Sequence, residues 1–221
     1  RYTSENEFII QPRAIVVGQI TEPFIIQPFG YVHCFATRFY PYGVANFIKT
    51  PLKNLENKET PIAELFGQST ANELEQKIIH ATDTQQRIEI IETFLFDKLN
   101  EKSTIDSIVK STVNTLIATS GSSPIKAILK EDLSKRRQLE RKFLKQIGMS
   151  PKQLGKVVRL QTALKLLLNQ KTGTFTEIAY ESEYYDQNHF IKDFKEFTGI
   201  TPKEFLGKEQ MILSSLFYTN D

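Results

Sequence analysis

Two short stretches carry the side chains best suited to hydrogen-bonding an anionic, base-bearing partner. One is Lys135-Arg136-Arg137; the other is Gln187-Asn188, with Lys192 four residues beyond Asn188. Arginine presents a rigid donor fork that matches guanine, and Asn or Gln pairs a donor with an acceptor as adenine does. Ile191, beside Lys192, offers an apolar surface for a thymine methyl group. Chemistry of the catalytic kind finds less support. The three histidines, His33, His80 and His189, and the lone Cys34 stand at no metal-ligand spacing. No phosphate-cradling glycine loop is present either. Neither a metal nor a cofactor is called for, and a non-enzymatic protein is expected. An enzymatic rival would use Cys34 as a methyl acceptor in DNA repair. The apolar run His33-Cys34-Phe35 argues instead for a buried structural cysteine.

Charge agrees with the first reading. The net charge of the 221 residues is only +2, but it is unevenly spread. Residues 1–120 hold 11 Lys+Arg against 14 Asp+Glu, and residues 121–221 hold 17 against 12. Residues 130–165 alone hold 11 basic and 3 acidic side chains. Such a run is either a solvated helix face or the electrostatic footprint of a polyanion. At 40% apolar and 24% charged, the chain has the balance of a globular protein with a real core. Its apolar runs fall far short of the roughly 18 residues of a membrane span, so no membrane partner is expected. A single cysteine fits a reducing compartment and a cytoplasmic location. The chain opens at Arg1 rather than at a methionine, so a preceding piece is expected.

The elements that must position these residues divide into two halves. Phe8–Ile10, Ala14–Ile20, Phe24–Gln27 and Val32–Phe39 read as short strands punctuated by Pro12, Pro23, Pro28, Gly30 and Pro41. From Thr60 the period becomes helical. Thr60-Pro61 reads as the start of a short helix ending at Gly67, and Thr70 with Glu73 reads as a capping box. Ile88, Ile91, Leu95 and Leu99 form an amphipathic stripe, and Ile105–Thr119 reads as one more helix. Gly121-Ser122-Ser123-Pro124 is the expected junction. The predicted architecture is an α+β N-terminal domain over 1–120 and an all-α domain over 121–221. The aromatic cluster Phe35, Phe39, Tyr40, Tyr42 and Phe47 is either core, the commoner case, or the lining of a ligand cavity.

An internal repeat at an offset of 51 residues ties the two basic stretches together. LERKFLKQIGMSPKQL, at 139–154, lies over FIKDFKEFTGITPKEF, at 190–205, without a gap. Phe143/Phe194, Gly148/Gly199, Pro151/Pro202 and Lys152/Lys203 are identical, at positions that punctuate helices. The glycines suit helix ends. Ser150 and Thr201 suit N-caps completed three residues later by Gln153 and Glu204. Thr174 with Glu177 caps a helix running to about Ser182, and Asp186 caps the next, 187–198. The result is a helix–turn–helix with Gln187, Asn188 and Lys192 on the opening turns of its second helix. In such a motif those turns face base edges in the major groove. The first copy's helix is predicted from Ser134 or Lys135 to Ile147. Between the copies, Leu154, Val157, Leu160, Leu164 and Leu168 stripe a helix over Pro151–Asn169, about 28 Å long. That length suits two reading helices about one DNA turn, roughly 34 Å, apart.

RQLERKF, IGMSPKQ and VVRLQTAL within 137–164, and TEIAYESEYYDQNHFIKDFKEFTGITPKEF at 176–205, resemble the AraC/XylS family of bacterial transcription regulators. The resemblance covers roughly the last hundred residues. It implies a seven-helix DNA-binding domain in which two helix–turn–helix units are joined by a long helix. By position it implies base reading by Arg137, Glu140 and Arg141 in the first unit and by Gln187, Asn188 and Lys192 in the second. Lys152, Arg159 and Lys203 are the candidate phosphate contacts. Two departures stand out. The family has glycine where Glu183 sits, and there is one residue more than usual between Ser134 and Leu139. Upstream, GQITEPFIIQP through PIAELFG is similar to the N-terminal domain of one subgroup of these regulators. In the wider family that domain senses a small molecule or mediates dimerisation. The partners open to such a protein are double-stranded DNA, RNA polymerase, a small-molecule effector and a second copy of the chain. The competing reading is a helix–turn–helix fold that has lost DNA and binds protein instead. Glu140 and Glu183 near the reading surfaces are its support.

Overall fold

The computed structural model describes residues 1–2, 7–23, 25–99, 105–129, 132–169 and 173–207. Two compact units are formed. The first comprises 1–20, 24–106 and 142–148, and the second comprises 21–23, 107–141 and 149–221.

The first unit is built on a small sheet. β1 (Ile15–Val17) runs antiparallel to β2 (Glu59–Pro61), with Val16 opposite Thr60. Against it lies a core of Ile48, Leu52 and Leu55, joined by Val16, Phe47, Leu65 and Phe66. α1 (Ile62–Phe66) ends at Gly67, and α2 (Gln68–His80) starts directly from it. Thr70 therefore lies inside a helix already under way, and the capping box expected at Thr70 does not form. Thr60 and Pro61 belong to the strand, so α1 starts one residue later than its sequence signals suggest. α3 (Thr84–Lys98) starts from Asp83, whose carboxylate accepts from the Gln86 N–H at 2.8 Å.

The four-strand expectation for the N-terminal stretch fails. Among the described residues only Ile15–Val17 of those runs becomes a strand, and Phe8 makes an isolated bridge to Tyr2. Phe24 lies outside the described residues. β-rich composition marks a segment that suits a pleated surface, but a ladder also needs a partner in register. The proline-broken stretch around 25–40 has none, and Phe29 and Tyr31 are fully solvated. Cys34 is exposed, which corrects the expectation of a buried structural cysteine. None of Phe35, Phe39, Tyr40, Tyr42 and Phe47 is buried, although Phe39 stacks near Phe47 and Tyr40 near Tyr42.

Asp106 anchors the segment 142–148 within this unit. Its carboxylate accepts from Lys142 and, at 2.6 Å, from the Gln146 amide, while its N–H donates to Gln146 Oε1 at 3.1 Å. The hydrogen bond from Lys142 outweighs partial desolvation and holds this carboxyl below the ordinary range. A depressed folded pKa means that the unfolded chain takes up a proton first as the pH drops. The stabilisation is complete above the unfolded value of about 3.9 and is lost as pH falls through the folded one. Asp106→Asn is expected to flatten the decline of the thermal midpoint between about pH 5 and pH 3. A decline as steep as in the parent protein would remove Asp106 from this role.

The second unit is helical: α4 (Ser107–Ala118), α5 (Ile125–Ile128), α6 (Arg136–Gln146, continuing into the first unit), α7 (Pro151–Asn169), α8 (Phe175–Glu181), α9 (Gln187–Thr198) and α10 (Pro202–Leu206). It begins at Ser107, ahead of the junction expected at Gly121–Pro124. The reason is packing. α4 lies along α7, a Cβ on Gly155 would lie 3.5 Å from the Leu116 side chain, and a Cβ on Gly121 would come within 2.0 Å of the Gly155 carbonyl oxygen. Side chains are excluded there, so the glycine-rich turn closes α4 onto α7. α7 buries Leu154, Leu160 and Leu164 as its stripe predicts, together with Gly155, Ala163 and Leu167. Val157 and Leu168 are half-buried. Its second half shares a core with Ile178, Ala179, Tyr184, Phe190, Phe194 and Phe205.

Candidate nucleic-acid interface

The two copies of the repeat share their principal core positions and their helix ends. Leu139 and Phe143 of α6 and Phe190 and Phe194 of α9 are fully buried. Leu154 and Phe205, their counterparts in the following helices, are each 3% exposed. Both helices stop at a glycine with positive φ, 95° at Gly148 and 78° at Gly199. The caps expected in the C-terminal half all form. Ser150 and Gln153 bond reciprocally, as do Thr174 with Glu177 and Thr201 with Glu204. Asp186 accepts from the His189 N–H at 2.7 Å and so starts α9 at Gln187.

The turn between α8 and α9 settles the question raised by Glu183. The Tyr184 N–H donates to the Ala179 carbonyl (2.9 Å) and the Glu183 N–H to the Tyr180 carbonyl (3.0 Å). That is the Schellman arrangement, which requires a left-handed residue at its pivot. Glu183 fills it at φ 62°, so the usual turn is kept at the cost of strain. Left-handed backbone costs a side-chain-bearing residue about 1–2 kcal/mol, and glycine's extra freedom in the unfolded chain offsets about 0.4–1 of that. Glu183→Gly is therefore expected to stabilise the protein by about 0.5–1 kcal/mol, read as a higher denaturant midpoint. A lower midpoint would show that the glutamate side chain stabilises the turn in some other way.

The first unit resolves its extra residue differently. A 3₁₀ turn over Leu133–Lys135 precedes α6, with Asp132 accepting from the Ser134 N–H and forming an ion pair with Lys135. The helix thus begins at Arg136, later than expected. Arg137, Arg141 and Lys145 follow at intervals of four along one exposed face, opposite Leu139 and Phe143. Glu140 is half-buried and accepts from Arg136 Nε at 3.1 Å. On α9 the exposed side chains are Asn188, Lys192, Lys195 and Glu196, the last paired with Lys156. Gln187 is half-buried, and its carbonyl oxygen accepts from the Thr176 hydroxyl.

Cations divide into two sets. Lys135, Arg136, Lys142 and Lys156 are ion-paired within the protein. Among the described residues, Arg137, Arg141, Lys145, Lys152, Lys192, Lys195 and Lys203 make no ion pair and are exposed. Lys152 and Lys203 sit in the first turns of α7 and α10, as expected for candidate phosphate contacts. Arg159 does not join them. Its guanidinium donates to the Gly121 carbonyl at 2.8 Å and lies 5.2 Å from the centre of the Tyr184 ring. It braces α7 against the end of α4 and the second helix–turn–helix. Lys145 and Lys195 were not singled out from sequence, although helical spacing from Arg141 and Lys192 would have found them.

Behind α9 lies a buried polar group. Asp193 is 1% exposed; Lys156 approaches it at 3.0 Å and His189 at 3.6 Å. Lys156 also pairs with Glu196. Burial works against the ammonium, but Glu196 and Asp193 outweigh it and raise its pKa. Burial, with the Asp193 charge nearby, pushes the Tyr184 phenol well up, against the opposing pull of Arg159. These groups fix how α9 sits on α7. Among the described residues, no three His, Cys, Asp or Glu side chains converge on a metal site, and no helix is long and apolar enough to cross a membrane.

Residues 134–208 match the family model described as a helix-turn-helix domain, and residues 2–61 match a domain of unknown function (DUF6597). No curated protein matches the chain. Among solved structures, the xylose-binding transcription activator XylR aligns at 19% identity over 49% of this chain and 29% of its own, with a TM-score of 0.37. ToxT from Vibrio cholerae aligns at 18% identity over 71% of this chain and 61% of its own (TM-score 0.42). The unsaturated fatty acid-bound form of ToxT aligns at 17% over 63% and 53% (TM-score 0.40). The chain thus spans less than two thirds of each of these proteins.

Proposed function

We propose, from the match of residues 134–208 to a helix-turn-helix domain and their resemblance to the AraC/XylS regulators, that this chain is a sequence-specific DNA-binding transcription regulator. Its two reading helices are α6 and α9, set in successive major-groove segments. The observation that carries this reading is a shared pair of buried positions backed by outward cations on both helices. Both helices bury the paired positions Leu139/Phe190 and Phe143/Phe194 of the repeat, and both turn cations without an ion pair outward. Base edges are read by Arg137, Glu140 and Arg141 on α6 and by Gln187, Asn188 and Lys192 on α9. Lys152 and Lys203 bind phosphates, joined by Lys145 and Lys195, while Arg159 acts as a brace. Residues 1–106 form the regulatory part, and a small-molecule effector, RNA polymerase and a second copy of the chain are its proposed partners.

Selection from a random duplex pool, followed by titration across a salt series, tests the reading. Two enriched blocks about one helical turn apart, with a steep negative salt slope, are expected. A single block would restrict reading to one helix. A folded protein that enriches nothing would favour the protein-binding alternative.

A further inference from the structure

The hydroxyl of Thr176, in the first turn of α8, donates to Gln187 Oε1 at 2.6 Å and ties the two helices of the second unit together. The 2.6 Å separation is that of an O–H···O hydrogen bond. The neighbouring reader Asn188 makes no side-chain hydrogen bond among the described residues. A free carboxamide turns over readily, and so presents either a donor or an acceptor to a base. The amide of Gln187 is held with its oxygen toward α8, which leaves Nε2 as the end available to a base edge.

We propose that Thr176 is a specificity-determining positioning residue, which fixes the hydrogen-bond polarity of Gln187. This rests on the reading of α9 as a base-contacting helix. A side chain restricted to donating needs an acceptor, which purine N7 and thymine O4 supply. Cytosine offers only its N4–H donor at the major-groove edge and is rejected. The sequence-level expectation of paired bonds to adenine thus narrows to a demand for an acceptor, with discrimination against cytosine set from a neighbouring helix.

The test uses the full chain and the duplex recovered by pool selection, with the base pair lost in Gln187→Ala changed to each alternative. Thr176→Val keeps shape and removes the hydroxyl, and Thr176→Ser keeps the hydroxyl. The parent and Thr176→Ser are expected to reject cytosine equally. Thr176→Val should lose roughly 3- to 10-fold of that discrimination, the worth of one hydrogen bond. Its salt slope should be unchanged, and the effect should vanish in a Gln187→Ala background. Equal weakening on every sequence would make Thr176 a phosphate contact and overturn the proposal. Unchanged discrimination in Thr176→Val, with Gln187→Ala still relaxing one base pair, would overturn it while leaving the α9 reading intact. No base-pair effect from Gln187→Ala would remove both.

Discussion

Replacing Lys156 by methionine is expected to cost about 3 kcal/mol, the low end of the range for breaking a buried ion pair. The reason lies in what stays behind. Asp193 is almost entirely buried in α9, and the Lys156 ammonium is its closest counter-charge, at 3.0 Å. Once that charge is gone, the carboxylate keeps its desolvation cost with only His189, at 3.6 Å, beside it. Methionine conserves the volume of the stem, so the loss reports charge rather than a cavity. For a protein of this size the thermal midpoint should fall by about 6–12 °C. Asp193→Asn in the Lys156→Met background should recover much of the loss. The ammonium's pKa is raised, so this stabilisation is intact at neutral pH and disappears only as pH climbs through the folded lysine value. A fall of under about 1 kcal/mol would show that the Lys156–Asp193 pair contributes little to the fold.

The second large effect is expected on DNA. Arg137→Ala should weaken binding to the selected sequence by about 1–3 kcal/mol and relax preference at one base pair of the first block. Arg137 lies on the exposed face of α6 without an ion pair, so no internal bond is lost with it. Lys203→Ala, in the first turn of α10, should instead weaken binding about equally on all sequences and lower the salt slope by about 1. Competition titrations with single-substituted duplexes distinguish these behaviours. If both variants lost affinity uniformly, the division between base-reading and phosphate-binding residues would be wrong.

Legibility in the sequence followed how local the physics was. Helix ends in the C-terminal half are set by residues within four positions of one another, as at Thr174–Glu177, Asp186–His189 and Thr201–Glu204, so their types and spacing locate the helices. The strands expected near the N-terminus depend on a partner elsewhere in the chain, and composition is silent about it. Charged residues show the same divide. Arg159 read as a phosphate contact because it is basic, yet its partners Gly121 and Tyr184 lie 38 and 25 positions away. Lys156 and Asp193, likewise distant in sequence, drew no attention at all. Glu183 was visible as a departure, but only the backbone could say whether the turn had changed or the glutamate was strained.

α7 is unbroken over its 19 residues, and buried side chains run from Leu154 to Leu167. In a helix each residue advances the axis by about 1.5 Å but rotates everything beyond it by about 100°. Angular phase, rather than length, is therefore what this element transmits. A single-residue insertion would leave the second reading helix at nearly the same distance while swinging it to another side of the duplex. It would also carry the buried stripe out of its core. On the proposed reading, α7 should tolerate substitutions at its exposed positions, such as Gln161, while admitting no insertions or deletions, and a changed operator spacing must be met by replacing the whole connector.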